Sequence, residues 1–356
     1  MGKLRAGGVE SIMYSYYRCL DKEKYQYDFV YEKGSEFDVP EELLEMGARA
    51  FKISWIGNPF GYIRDLIRII KKEKYSIIHT NLNSLSVFSL FAAWCCRVKY
   101  RILHNHTTSS PAEGKKTIIK KLLRPFCRAF ANKACACSVL AAQWMYGEKA
   151  VEKGRVRILR NGVDTEKFSF DADARLEIRK EFKIENKKVI GHVGRFATTK
   201  NHRFIIDIFE KIQKKDSKTV LMLCGDGELF SDVKDYALAK GLSENIVFTG
   251  VRNDVNKLYS AFDVFVLPSL YEGLPIVAME ALCSGLNVYL SENVTRECAI
   301  SEKVRFLPID TPSHWVEGIE LVDDEERACA RNIMKGGDFD ISNCVKELEE
   351  LYEECR

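Results

Sequence analysis

The chain has 356 residues, of which 46% are apolar and 29% charged, and its formal net charge is +3. This length suits roughly two domains, and the composition is that of a globular protein with substantial cores. A net charge this small does not by itself indicate nucleic-acid binding. We therefore expect a two-domain globular protein without a nucleic-acid partner.

Twelve cysteines invite a reading as disulfides or metal ligands. However, neither Cys95-Cys96 nor the pair Cys135 and Cys137 has the two-plus-two spacing of a structural zinc site. Buried free thiols in a reducing cytoplasm are the better interpretation. The most membrane-like run, residues 85–96, is too short for the roughly 20 residues that a spanning helix needs. It is predicted to be a buried helix that covers a sheet.

Short β-rich runs alternate with helical runs almost throughout, which predicts parallel sheets covered by helices and an α/β fold class. The strands predicted in the first half are 29–31, 51–53, 77–79, 101–103 and 134–137. Those predicted in the second half are 189–190, 220–223, 246–248, 264–267, 287–290 and 305–307. The last segment, 342–355, is predicted to be a helix because Val345, Leu348 and Leu351 share one stripe.

Gly7 and Gly8 lie almost at the start of the chain, after a segment without the β-branched run that a buried central strand requires. We expect the natural protein to have about ten more residues that form this strand. A turn signal at residues 161–164 marks the expected linker. The predicted domains are 1–160 and 161–341, followed by a helix at 342–356.

Two glutamates form the most informative motif: Glu272 lies in a Gly/Pro turn, and Glu280 lies inside an apolar helix start. The neighbours of Glu280 are side chains that favour burial: Ile276, Val277, Ala278, Met279, Ala281 and Leu282. A buried carboxylate is costly unless partners satisfy it, and the two neighbouring hydroxyls of a ribose are suitable partners. The alternative is a surface glutamate that leaves the apolar face.

Arg195 and Lys200 follow a predicted strand and a glycine turn. The guanidinium of Arg195 offers a fork of N–H donors and the ammonium of Lys200 a point charge, and both suit a diphosphate. The alternative is two solvated basic residues. Gly7 and Gly8 would let the backbone approach the same phosphates at the start of a helix, although an ordinary turn is equally consistent. The sequence contains neither the phosphate-loop pattern nor the full dinucleotide fingerprint, which argues against an NTPase and a dehydrogenase.

His104 and His106 follow the predicted strand 101–103, at the end where open parallel sheets bind ligands. Both share a face if the strand continues, and His104 is slightly preferred because it lies closer to the strand. Loop histidines with satisfied hydrogen bonds are the alternative. No third ligand stands at a recognisable spacing and no Asp-x-Asp element is present, so we expect no metal.

Residues 115–133 form a basic amphipathic segment. Its apolar residues at helical spacing are Ile118, Ile119, Leu122, Leu123, Phe126 and Phe130. Its basic residues are Lys115, Lys116, Lys120, Lys121, Arg124, Arg128 and Lys133. Such a helix can lie on an anionic membrane leaflet. A sheet-covering helix with a solvated basic face is an equally good interpretation, and Pro125 is expected to interrupt either one.

The spacing of Glu272 and Glu280 resembles the Glu-x7-Glu signature of the retaining glycosyltransferases of family 4, which have the GT-B fold. Four further segments resemble the family in the same order, namely 161–168, 191–202, 225–228 and 248–254. Together they cover most of the second half. The first half resembles the family more weakly, through 7–10 and 104–106.

The resemblance implies two Rossmann-like domains whose parallel sheets face each other across a cleft, with the last helix crossing back onto the first domain. It implies that Glu272 contacts the hydroxyls of the donor sugar and that Glu280 binds the ribose. Arg195 and Lys200 would stabilise the departing diphosphate, and one of the two histidines would lie near the reacting sugar. Further donor contacts are implied at Gly194, Arg252, Gly273, Leu274 and Pro275.

The implied function is transfer of a sugar, with retention, from a nucleotide-sugar donor that we expect to be UDP-linked. The expected acceptor is a glycan or lipid-linked glycan of bacterial capsular or exopolysaccharide assembly, in the cytoplasm with peripheral contact to the plasma membrane. No cofactor is expected, because the nucleotide sugar is a substrate. The alternatives are a GT-B nucleotide-sugar epimerase and a non-catalytic protein that binds sugar nucleotides.

Overall fold

The structure is a computed structural model that describes residues 1–4, 7–108, 115–322, 324–329 and 333–355. It divides into two compact units. The first consists of Met1–Gly162 together with Ile341–Arg356, and the second of Val163–Asp340.

The first unit contains parallel strands and covering helices. Its described strands are β1 (Asp28–Glu32), β2 (Arg49–Ile53), β3 (Ile77–Thr80), β4 (Tyr100–Asn105), β5 (Lys133–Ala136) and β6 (Arg157–Ile158). Its helices are α1 (Gly8–Cys19), α2 (Glu41–Glu45), α3 (Pro59–Glu73), α4 (Ser86–Cys95), α5 (Lys115–Phe130), α6 (Val139–Tyr146), α7 (Glu148–Glu152) and, from the end of the chain, α15 (Ile341–Glu353). Among the described strands, β1 pairs with β2, and β3 to β6 form a second sheet in chain order.

The second unit is one six-stranded sheet with helices around it. Its strands are β7 (Lys188–Val193), β8 (Thr219–Cys224), β9 (Ile246–Gly250), β10 (Val264–Leu267), β11 (Val288–Ser291) and β12 (Val304–Leu307). Its helices are α8 (Ala172–Glu181), α9 (His202–Lys215), α10 (Phe230–Ala239), α11 (Val255–Ala261), α12 (Ile276–Cys283), α13 (Pro312–Gly318) and α14 (Asp324–Cys329). The sheet order is β12-β11-β10-β7-β8-β9, and every pairing is parallel.

The core of the second unit lies on both faces of this sheet. All six residues of β8 are buried, as expected for a central strand of a parallel sheet covered on both sides. Helix α9 buries Ile205, Ile206 and Phe209 on one stripe and leaves its lysines on the other side. The alternation of strands and helices predicted from the sequence is confirmed.

Helix α15 belongs to the first unit. Val345, Leu348 and Leu351 are buried, so the predicted stripe is its packing face. The hydroxyl of Tyr352 lies 2.7 Å from that of Tyr27 and 2.8 Å from His79 Nδ1. The last helix is therefore tied to β3 by polar contacts as well as by apolar burial.

Helix α5 runs unbroken through Pro125, so the expectation that this proline interrupts it is wrong. A proline removes one backbone donor, and the remaining hydrogen bonds of a long helix can hold the segment together. Ile118, Leu122 and Phe126 are each more than half exposed. Within the described residues, none of the helices has the length and apolar character needed to cross a membrane.

The cysteines with described side chains are free thiols, as expected. Cys135 and Cys137 are buried, but Cys19 and Cys95 are exposed, which contradicts the expectation that all are buried. Both exposed cysteines are the last residues of their helices, α1 and α4, where packing against the sheet ends.

Candidate functional site

Lys200 and Glu272 form a partly buried ion pair at the ends of two neighbouring strands. Lys200 follows β7 and Glu272 follows β10, and the distance from Nζ to Oε1 is 2.6 Å. The backbone N–H of Leu270 donates to the Thr199 carbonyl at 2.8 Å, which holds the two loops together. Ser269 Oγ donates to the same carboxylate oxygen at 2.9 Å. The fold thus brings together two of the predicted site residues.

Arg195 also follows β7, and its guanidinium pairs with Glu228, which follows β8, at 2.9 Å. Both side chains are about half exposed, so this pair adds little stability. Glu228 is placed by a close backbone approach: a Cβ on Gly225 would lie 2.2 Å from the Gly194 carbonyl oxygen. Only glycine fits there, and its φ of +135° favours glycine as well. The sequence motif contained Glu228, but its partner could not be read from spacing.

Two buried histidines lie beside this loop and were missed in the sequence. A Cβ on Gly194 would lie 3.0 Å from His192 Nε2 and 3.4 Å from Lys200 Cδ. His192 Nδ1 donates to the Val266 carbonyl at 2.8 Å, so its Nε2 is the acceptor of a neutral ring. Burial lowers the pKa of His192 to about 3 and that of His202 to about 2. Both rings are therefore neutral and add no charge beside Lys200.

Glu280 lies on α12 and is only 8% exposed, which excludes the surface alternative. The hydroxyl of Tyr259, on α11, donates to its Oε2 at 2.8 Å. Burial raises the pKa of Glu280 to about 7, while the Tyr259 hydrogen bond and the charge of Lys167 act in the opposite direction. The carboxylate thus has one oxygen fixed by a phenol and is poised to change charge near neutral pH.

Gly273, Leu274 and Pro275 join Glu272 to α12, and all three are buried. Pro275 is the residue before the first turn of α12, and no side chain caps that turn. The first amides of a helix can bind anions or hydroxyl oxygens, so this segment can make the donor contacts expected of it from the sequence.

The structure does not bring Arg252 to the ion pair at Lys200. Its guanidinium is engaged by two carboxylates, Asp254 at 2.7 Å and Glu181 at 2.5 Å. It also stacks over the Phe182 ring at 5.6 Å. These contacts raise the pKa of Arg252 and fix the turn that follows β9.

In the first unit, His104 and His106 lie side by side, with ring centroids 4.0 Å apart. His104 is completely buried, and its Nδ1 lies 3.2 Å from His79 Nε2. His106 is 6% exposed and lies between two amides, with Asn81 Oδ1 at 2.8 Å and Asn161 Oδ1 at 3.2 Å. Burial lowers the pKa of His106 to about 4 and holds that of His104 well below its usual value. Both are neutral, and His106 is the more accessible of the two.

Gly7 and Gly8 begin α1, but a carboxylate already lies at this helix start. A Cβ on Gly7 would lie 2.4 Å from Glu10 Oε2, which shows that the Glu10 side chain folds back over the first turn. A carboxylate is favoured at a helix N-terminus for the same reason as a phosphate. A phosphate approaching Gly7 would meet a like charge here.

No group of three or more His, Cys, Asp or Glu side chains in the described ranges has an arrangement that could hold a metal ion. A cavity of about 520 Å³ in the second unit is lined by residues from 166–174 and from α11. None of the predicted site residues lines it. The candidate site is therefore defined by side chains at the strand ends rather than by this cavity.

Comparison with known proteins identifies the family of this chain. Residues 6–167 match the family described as Glycosyltransferase Family 4, and residues 174–335 match that described as Glycosyl transferases group 1. EpsF of Bacillus subtilis (strain 168), which is named as a glycosyltransferase, is 33% identical over an alignment of 324 positions that covers 89% of this chain and 84% of EpsF. The chain belongs to the glycosyltransferases.

A second relative of this glycosyltransferase comes from Escherichia coli and is named UDP-Gal:alpha-D-GlcNAc-diphosphoundecaprenol alpha-1,3-galactosyltransferase. It is 24% identical over an alignment of 369 positions, which covers 97% of this chain and 93% of that protein. A crystal structure of Anabaena HepE in complex with UDP and glucose superposes with a TM-score of 0.80, at 18% identity over 99% of this chain and 98% of HepE. The predicted α/β GT-B fold is confirmed.

Proposed function

We propose that this glycosyltransferase moves a sugar from a UDP-linked donor to a glycan or lipid-linked acceptor in surface polysaccharide assembly, with retention of configuration. The partly buried pair of Lys200 and Glu272 carries the proposal. It lies at the carboxyl ends of β7 and β10, the edge where open parallel sheets bind ligands. The name of the relative from E. coli and the UDP bound in the HepE structure support a UDP-linked donor. The name of the E. coli relative also supports a lipid-linked acceptor.

The proposed chemistry uses the positive charges of Lys200 and Arg195, which both follow β7. The bond from the anomeric carbon to the donor phosphate breaks while a bond to the acceptor oxygen forms on the same face. The acceptor proton passes to the leaving phosphate. Lys200 and Arg195 meet the charge that develops on the diphosphate, the larger catalytic effect in such a site. No metal is needed for this role, so transfer is expected to persist in EDTA.

The glutamates would hold the rest of the donor. Glu272 would exchange part of its contact with Lys200 for hydroxyls of the donor sugar, and Glu280 would accept hydrogen bonds from the ribose. Gly194 and the Gly273–Pro275 segment would offer backbone to the donor. Arg252 would act by shaping the turn after β9, where it donates four hydrogen bonds to Asp254 and Glu181.

In the first unit we assign the contact with the reacting sugar to His106 rather than His104. His104 has no exposed surface, whereas His106 has some and is held by amides on both sides. His104 would support His106 through their ring contact. Any donor contact by Gly7 and Gly8 requires that the Glu10 side chain first swing away from the start of α1.

The test is Lys200→Ala, with Lys214→Ala as the matched control. Lys214 is an exposed lysine on α9 that pairs with Glu210 within one helix. Removal of one group that stabilises developing charge typically lowers kcat by about 10²- to 10³-fold. We expect such a loss of UDP-sugar turnover in Lys200→Ala and none in the control. Equal turnover in both variants would contradict the proposed role.

The anomeric configuration of the product tests retention separately from the role of Lys200. With an α-linked UDP-sugar, NMR of the first-formed product is expected to show the α anomer. A β-linked product would contradict retention, and a 2-epimer of the donor would support the epimerase alternative.

We also propose that α5 contacts an anionic membrane surface. Ile118, Ile119, Leu122 and Phe126 are 54 to 66% exposed on a helix rich in lysine and arginine. Leu122→Asp is expected to lower sedimentation with vesicles containing phosphatidylglycerol, and Leu238→Asp, at a similarly exposed leucine of α10, is the control. Equal sedimentation of both variants, or equal binding to neutral vesicles, would contradict membrane contact through charge and apolar burial.

A further inference from the structure

Within the part of the chain that the structure describes, Glu280 accepts its side-chain hydrogen bond from Tyr259 on the neighbouring helix α11. We propose that Tyr259 is a positioning residue that fixes the Glu280 carboxylate for the ribose diol of the donor nucleotide. The proposal rests on the proposed function, in which Glu280 binds the ribose. It adds a residue that does not touch the donor but determines how the donor is bound.

The surroundings of Tyr259 show why a tyrosine rather than a phenylalanine occupies this position. Its side chain is completely buried, and its ring contacts Phe168, Phe262 and Phe265 at centroid distances of 5.8 to 5.9 Å. In this apolar environment a phenol is costly unless its hydroxyl is satisfied. The hydroxyl donates to Glu280 Oε2 at 2.8 Å, so satisfying the phenol and orienting the carboxylate are the same contact.

The helices that carry the two residues are locked at their ends by one buried guanidinium. Arg327, on α14, donates to the carbonyls of Tyr259 and Ser260 at the end of α11, at 2.8 and 2.9 Å. It also donates to the carbonyl and hydroxyl of Ser284, the residue after α12, at 3.0 and 2.8 Å. Arg327 thereby fixes α11 against α12, and so fixes Tyr259 against Glu280.

This arrangement leaves one carboxylate oxygen for the nucleotide. Tyr259 occupies Oε2, and Oε1 can accept from a ribose hydroxyl. Ionisation of Glu280 is needed for strong acceptance, because charge-assisted hydrogen bonds are about twice as strong as neutral ones. Affinity for UDP should therefore rise as pH increases through the pKa of Glu280.

Two groups influence the charge of Glu280 from the elements around it, and a third ionisable group, Cys283, lies on its own helix. Tyr259 on α11 and Lys167 before α8 favour the ionised form. Cys283, on α12, has a pKa raised to about 12 by burial and stays neutral over the range of interest. Removal of the Tyr259 hydroxyl should shift the midpoint of UDP affinity to higher pH, while Lys167 and Cys283 are left unchanged.

The experiment compares Tyr259→Phe with the parent protein by calorimetric titration of UDP between pH 6 and 9. Tyr289→Phe is the matched control, because this buried hydroxyl accepts from the Glu320 N–H at 2.8 Å and does not contact Glu280. A second titrant, UDP lacking the 2′ and 3′ hydroxyls, has the same titrating phosphate but no diol. Loss of a hydrogen bond to a charged group corresponds to about a tenfold decrease in affinity.

We expect Tyr259→Phe to bind UDP about tenfold more weakly at pH 7.5, with a higher pH midpoint and partial recovery at pH 9. The dideoxy analogue should bind the parent protein and Tyr259→Phe equally. Equal losses for both titrants would show a general structural defect and overturn the proposal.

Unchanged UDP affinity in Tyr259→Phe would also overturn the proposal, and Glu280→Gln then separates this failure from that of the proposed function. If Glu280→Gln weakens UDP binding while Tyr259→Phe does not, Glu280 keeps its ribose role and only the positioning role falls. If neither variant weakens UDP binding, the ribose role falls as well.

Discussion

Glu280→Gln should stabilise the protein and weaken nucleotide binding at the same time. Burial raises the pKa of Glu280 from 4.5 to about 7. Since each pKa unit is worth about 1.4 kcal/mol, the ionised carboxylate costs the native state about 3 kcal/mol. Glutamine has nearly the same shape and no charge, and its carbonyl can accept the Tyr259 hydroxyl. The free energy of unfolding should therefore increase by up to about 3 kcal/mol in the variant.

The sign of the pH dependence follows from the direction of the shift. Above about pH 7 the carboxyl is ionised in both states, so the native state bears the whole cost. Below about pH 4.5 it is protonated in both states and the cost disappears. The gain from Glu280→Gln should thus be full at pH 8 and should shrink towards zero as the pH falls to 4.5.

The assay is urea unfolding at pH 8 and pH 5 in the absence of nucleotide, followed by tryptophan fluorescence. Trp315 is completely buried in the second unit and reports its unfolding. UDP affinity is measured on the same preparations. A variant with no gain in stability at pH 8, or with the same gain at both pH values, would refute the assignment of Glu280 as a buried and costly carboxylate.

Two further predictions concern the framework of the site. Gly225→Ala would drive a methyl group into the Gly194 carbonyl, so we expect the free energy of unfolding to fall by about 2 kcal/mol or more and UDP to bind more weakly. Thermal unfolding measures the first effect, and unchanged stability would contradict the close approach. Arg327→Leu would remove the guanidinium donors from the buried carbonyls of Tyr259 and Ser284, so we expect the free energy of unfolding to fall by about 2 to 5 kcal/mol. Urea unfolding measures this loss against Arg203→Leu at an exposed ion pair, and equal losses in both variants would contradict the locking role.

The strands could be predicted because buried parallel strands are short apolar runs with clear boundaries. All eleven predicted strands lie within or overlap observed ones, with bounds that differ by a few residues. The two-residue strand β6 was missed because a segment this short has no pattern of its own. Pro125 was misjudged for a different reason: a local rule about proline was applied to a helix long enough to accommodate it.

The residues of the candidate site could be selected from the sequence, but their partners could not. Glu280 stood out because a charge inside an apolar helix start needs an explanation. The donor from Tyr259 lies 21 residues away on another helix, and nothing in the spacing connects the two. The same holds for Glu228 and Arg195, which are 33 residues apart and meet only because β7 and β8 are neighbours in the sheet.

The relative burial of His104 and His106 could not be read from the sequence. Strand alternation placed both rings on one face but could not tell which one the fold would cover. His79 lies against His104, on the neighbouring strand β3, and completes its burial. The burial of His104 therefore depends on a tertiary contact rather than on the local sequence.

The most direct test of the account is a crystal structure of the protein with bound UDP. We predict that Lys200 Nζ turns from Glu272, now 2.6 Å away, to an oxygen of the diphosphate, with Arg195 on the same group and the ribose on Glu280. A diphosphate bound elsewhere, with the Lys200–Glu272 pair intact and the ribose away from Glu280, would contradict it.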